Sequence, residues 1–150
     1  MKRLFVFLAV LGLAACSSMP KQSSAEKLAM YRASAGAPVK DFSYFGNING
    51  WQPLGQSALA VWTKPNEAYL LDLAGPCPDL EFAPAISITN MMGRVSTFDR
   101  VRPIGGGGGP MRMSCRIKTI SPLDMKSLKA AEQELRKADV EERKEGEAEN

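Results

Sequence analysis

Apolar residues in this chain fall into short runs with strand-like spacing, bracketed by two stretches of helical spacing. Leu59–Trp62 and Ala68–Leu73 flank Thr63-Lys64-Pro65-Asn66-Glu67. Proline presets the backbone angle of a turn and asparagine tolerates the position after it, so these residues predict a β-hairpin. In its second arm Tyr69, Leu71 and Leu73 alternate with Ala68, Leu70 and Asp72, and most of both faces is apolar. Such a strand is central or barrel-forming. Gly75-Pro76-Cys77-Pro78 ends it, because proline cannot donate to a ladder. Ala85–Asn90 alternates Ile86 and Ile88 with polar residues, as a half-buried strand does, and Val95–Arg102 is β-rich but less regular. Met111–Ile120 alternates most clearly. Met111, Met113, Cys115 and Ile117 share one face, and Arg112, Ser114, Arg116 and Lys118 share the other.

Helical spacing begins at Ala25–Ala35, where Leu28, Tyr31 and Ala35 lie on one side and Gly36 and Pro38 stop the run. Ser121-Pro122-Leu123-Asp124 has the composition of a helix start, with serine as cap, proline in the first position and an acid in the third. Leu128, Ala131, Leu135 and Ala138 follow on a thin stripe, predicting a helix whose first turns dock and whose end frays from about Glu141. Acids outnumber bases from Asp124 onward, as in a solvated tail. The expected fold is mainly β: a small antiparallel, partly closed barrel or curved sheet of about five or six strands, with a short N-terminal helix and a C-terminal helix.

The N-terminus changes the setting. Lys2 and Arg3 precede an apolar run from Leu4 to Leu13, which is too short for a membrane span and suits a secretory signal. Ala14-Ala15-Cys16 resembles the lipobox of bacterial lipoproteins, in which the cysteine thiol is acylated, by palmitate among other chains, and the leader is cut just before it. Ser17 in place of aspartate matches the sorting rule for the outer membrane, with the domain facing the periplasm. The expected division is a lipoprotein signal peptide at 1–15, a tether at 16–24, a disulfide-stapled β domain with its N-terminal helix at 25–123, and a charged C-terminal helix and tail at 124–150. With Cys16 lipidated, Cys77 and Cys115 remain, and an even pair in an exported domain forms a disulfide.

Composition narrows the chemistry. The formal charge of +3 falls to +1 once Lys2 and Arg3 leave with the leader, which gives no reason to expect nucleic-acid binding. The chain has no histidine, which removes His-based triads and His-based zinc sites. No metal, cofactor or catalytic residue is expected. Gly105–Gly109 is followed by neither Gly-Lys-Ser/Thr nor a helix, so it reads as a loop and not as a phosphate cradle. The acids Glu67, Asp72, Asp79 and Glu81 lack calcium-loop spacing, and each has a plainer structural role.

Two candidates for binding remain. Arg94, Arg100, Arg102, Arg112, Arg116 and Lys118 face one acid, Asp99, and Arg112, Arg116 and Lys118 share a strand face suited to an anionic partner, an envelope protein or an anionic lipid. Against this stands an ordinary solvated edge, which basic residues also make. Asp99-Arg100 reads as a local structural pair. Asp41–Trp51 holds Phe42, Tyr44, Phe45, Ile48 and Trp51. Aromatics this dense usually form core, although with a carboxylate such as Asp72 or Asp99 they would suit a small-ligand or hydrolytic site. The leading expectation is a non-catalytic binding or assembly module, anchored to the membrane through acylated Cys16.

The strings G-W-Q-P-L-G (Gly50–Gly55), V-W-T-K-P-N-E-A-Y-L-L-D-L (Val61–Leu73), G-P-C-P-D-L (Gly75–Leu80), F-D-R-V (Phe98–Val101) and C-R-I-K-T-I-S-P-L-D (Cys115–Asp124) make the chain resemble a domain-of-unknown-function family of small proteobacterial lipoproteins. The resemblance spans about Ala29 to Ala130 and implies a pairing of Cys77 with Cys115. It implies no activity and no catalytic residues.

Overall fold

A computed structural model describes residues 23–105 and 113–148. The expected leader, Cys16, Arg112 and most of the tether and glycine run lie outside the described residues. The elements are α1 (Ser24–Ala33), β1 (Asp41–Ser43), β2 (Gly50–Pro53), β3 (Ala58–Lys64), β4 (Glu67–Leu73), a 3-10 turn (Leu80–Phe82), β5 (Ala85–Ile88), β6 (Arg94–Ser96), β7 (Arg100–Ile104), β8 (Cys115–Pro122) and α2 (Met125–Ala148). Six strands form an antiparallel half-barrel sheet in the order β2-β3-β4-β8-β7-β5, and β1 pairs with β6 as a separate two-stranded ribbon. The fold is mainly β, with a helix towards each end, as the spacing predicts.

β4 is central because it is apolar on both faces. Leu59, Val61, Leu71, Leu73, Ile117 and Ile120 face one layer, which the ribbon residues Phe42 and Val95 and the turn residue Leu80 close. Phe42 stacks on Tyr69 there, with ring centroids 4.5 Å apart and planes 14° from parallel. Ala58, Ala60, Ala68 and Leu70 face the other layer, where the small alanines admit Tyr31 of α1 and Leu128 of α2. The sheet therefore separates two apolar layers. The α1 end at Ser24 is fixed by a capping box, in which Ser23 and Glu26 exchange hydrogen bonds.

Cys77 and Cys115 form a disulfide across a sequence separation of 38, with Cα atoms 5.7 Å apart. It ties the loop after β4 to the start of β8. Cys77 is fully buried, and Cys115 is half-buried.

Several boundaries depart from the periodicity. The chain stays in β8 through Ser121 and Pro122, which pair with Leu70 and Tyr69. Leu123 then donates to the Ala68 carbonyl, and α2 starts at Met125 with Asp124 as its cap. The Asp124 carboxylate accepts from the Lys126 and Ser127 amides at 2.9 and 3.3 Å. The helix continues past Glu141 to Ala148. Val95–Arg102 is two strands, β6 and β7, because the Asp99 carboxylate accepts from the Ser96 amide and hydroxyl and folds the chain into a turn. β8 begins at Cys115, and Met113 is exposed before it.

Candidate binding face

β7 and β8 present the charged candidates by simple alternation. Val101 and Ile117 point into the core, so Arg100, Arg102, Arg116 and Lys118 share the opposite, exposed face. Arg100 lies directly across from Arg116 in the ladder. Like charges in opposite register repel, and the sheet accepts that cost here. Among the described residues none of these four side chains is in a salt bridge. The sequence pattern places Arg116 and Lys118 together; the pairing of β7 with β8 adds Arg100 and Arg102. Arg94, from the same basic stretch, is committed elsewhere: its Nε donates to Asp41 at 2.9 Å, and its Nη2 reaches the same oxygen.

The face runs into an open depression of about 370 Å³ lined by Arg32, Ser57, Asp72, Leu73, Lys118 and Thr119. Asp72 accepts from Arg32 at 2.8 Å and from the Thr119 hydroxyl at 3.0 Å. Its partners come from α1 and β8, elements too distant in sequence for spacing to reveal the contact.

The remaining acids are structural. Glu67 takes bonds from Lys64 and Thr63, which hold its carboxyl below the usual carboxylate range, the lysine making the larger contribution. Glu81 accepts from Ser24 at 2.9 Å. Asp79 stands at the start of the 3-10 turn with φ 63°. Asp99 is buried and accepts from Thr89 as well as Ser96, so its partners are these groups and not the Arg100 side chain. Among the described residues no three His, Cys, Asp or Glu side chains gather as metal ligands would.

The aromatic segment and Asp72 do not converge. Trp51 pairs with Val61 and packs on the ribbon-side core, whereas Asp72 pairs with Ala58 on the helix side. Phe42 is core, but Phe45 is 89 % exposed, beside the tight turn that carries Met91 and Met92 at 76 % and 98 % exposure. Exposure of these residues is the feature that hydrophobicity alone misreads.

Fold and face together describe a disulfide-stapled antiparallel half-barrel with an unshielded cationic strand pair. The chain belongs to the Family of unknown function (DUF6491), whose family model matches residues 1–139. No curated protein and no solved structure matches it. Among the described residues no helix is long and apolar enough to cross a membrane.

Proposed function

We propose that this protein is a non-catalytic binding or assembly module of the bacterial envelope, held at the periplasmic side of the outer membrane by acylated Cys16, and that its cationic face takes an anionic partner. The observation that carries the binding role is the row Arg100, Arg102, Arg116 and Lys118, exposed on one face with two arginines in opposing register. Such a row is most stable when a counter-charge lies over it. The Cys16 anchor is supported by the order of basic start, short apolar run, small residues and cysteine at the N-terminus.

Two experiments test the proposal. Crosslinking in the native host through a photoreactive residue at Ser87 should capture a partner, and Arg100→Glu with Arg116→Glu should abolish the capture. Unchanged capture by that variant rejects the cationic face. Cys16→Ser should move the protein from the membrane to the soluble fraction, and retention at the membrane rejects the anchor.

A further inference from the structure

The cationic row and the helix that receives the tether lie on the same side of the sheet. Val101 and Ile117 point into the ribbon-side layer, so Arg100, Arg102 and Arg116 stand on the other side, which α1 covers over β3 and β4. Lys118 joins the row to α1, because it and Arg32 line one depression. α1 begins at Ser24, whose hydroxyl donates to Glu81 at 2.9 Å, so its start is fixed against the turn before β5. Cys16 lies seven residues before Ser23, a length of chain that spans at most about 25 Å. A bilayer that holds Cys16 is therefore within reach of this side of the domain.

The row is denser than its spacing along either strand implies. The Ile117 amide donates to the Asp99 carbonyl at 3.1 Å, and the Thr89 amide to the Arg100 carbonyl at 3.0 Å. Arg100 thus turns its backbone groups to β5 and meets Arg116 as a non-hydrogen-bonded pair. That is the closer of the two antiparallel spacings, about 4.5 Å between Cα atoms. Two guanidiniums held this close suit phosphate, whose oxygens accept from both forks.

Phe98 adds an apolar group. It lies two residues before Arg100 and is 92 % exposed, on a turn that the Asp99 carboxylate ties to Ser96 and Thr89. An aromatic ring held in the open beside cations matches the boundary between lipid headgroups and acyl chains. The acid-rich α2 leaves from the far end of β8, where Lys129 donates to Asn66 at 3.1 Å. Pro122 at that end is six residues, about 20 Å, from Arg116.

We propose that Arg100, Arg102, Arg116 and Lys118, with Phe98 at their margin, dock the domain on the anionic lipid surface of the membrane that carries its anchor. This deepens the proposed function and rests on it: the anionic partner of the face is headgroup phosphate, and anchor and face together set which side of the domain meets the bilayer. Each cation adds about fivefold to the affinity for such a surface. The attraction fades as salt shortens its range.

The test uses the acylated full chain with a photoreactive residue at Phe98, or at Asn66 as a control, and vesicles of phosphatidylcholine with or without phosphatidylglycerol. Flotation with the vesicles reads the anchor, and lipid adducts read the face. Phosphatidylglycerol should raise the adduct at Phe98 by about tenfold or more. High salt, or Arg100→Glu with Arg116→Glu, should return it to the phosphatidylcholine level, and the probe at Asn66 should give the same low yield throughout. An adduct at Phe98 that ignores phosphatidylglycerol, or survives charge reversal, overturns the docking while flotation leaves the anchor in place. Failure to float with phosphatidylcholine vesicles sinks the anchor, and this proposal with it. In the native host, capture of a polypeptide instead of lipid by the probe at Phe98 overturns the membrane as occupant and leaves the cationic face standing.

Discussion

Tyr31 shows how one side chain connects the elements. It is 1 % exposed, its ring meets Trp62 edge-on at 6.3 Å, and its hydroxyl donates to Gln52 at 3.0 Å. Burial first, and the negative charge of Glu132 second, push that hydroxyl from 10.0 up to about 12. The folded state therefore holds the proton more tightly than the unfolded chain. The associated stability is complete below pH 10 and is lost as pH rises through about 12. A tyrosinate absorbance titration should show a late step near the upper value, and Tyr31→Phe should remove it. Asp99 offers a second check. Its carboxylate satisfies the Ser96 amide and two hydroxyls in a buried turn. Asp99→Ala leaves these donors unpaired, which should cost about 2–3 kcal/mol in urea denaturation. Sequence spacing shows an acid among arginines at this position; it does not show that the acid faces inward, because the Ser96–Asp99 turn is what directs it.

At the scale of elements, the hairpin β3–β4 is legible because its signals are local: a Pro-Asn turn between two apolar runs. The start of α2 is less so. Ser121-Pro122 has the chemistry of a helix start, yet β4 holds these residues in the sheet, and ladder bonds override a cap signal that Asp124 can supply three residues later. Asp124→Ala should therefore cost about 1 kcal/mol by thermal or urea unfolding, whereas Ser121→Ala should not act through helix capping. The turn at Met91–Arg94 has a related feature. Met92 adopts φ 52°, left-handed for a residue with a Cβ, and precedes Gly93 at φ 73°. Met92→Gly should raise stability by about 1 kcal/mol, measured by the same unfolding midpoint. The alternation of hydrophobic residues does not report this conformation, because it depends on how β6 is drawn against β1 by the Tyr44 amide and the Gly93 carbonyl.

For the whole molecule, the disulfide and the two-layered packing set stability together. Closing a loop of 38 residues should contribute about 4 kcal/mol by chain entropy. Reduction, or Cys77→Ser with Cys115→Ser, should lower the urea midpoint by a corresponding amount. An unchanged midpoint under reductant would show that packing alone holds the seam. The six strands close one core with the ribbon and the other with the helices, so the buried Tyr31 of α1 and the doubly apolar β4 explain one another.

Local covalent and steric chemistry let the sequence determine much by itself. Proline and asparagine define the hairpin, alternation marks β4, β5 and β8, and cysteine number suggests the cross-link. Strand order is another matter. Only the tertiary structure sets Arg100 across from Arg116, brings Arg32 to Asp72 and leaves β5 at an edge. These are contacts between residues far apart in the chain, chosen by the global fit of side chains into two cores, and no local period encodes them.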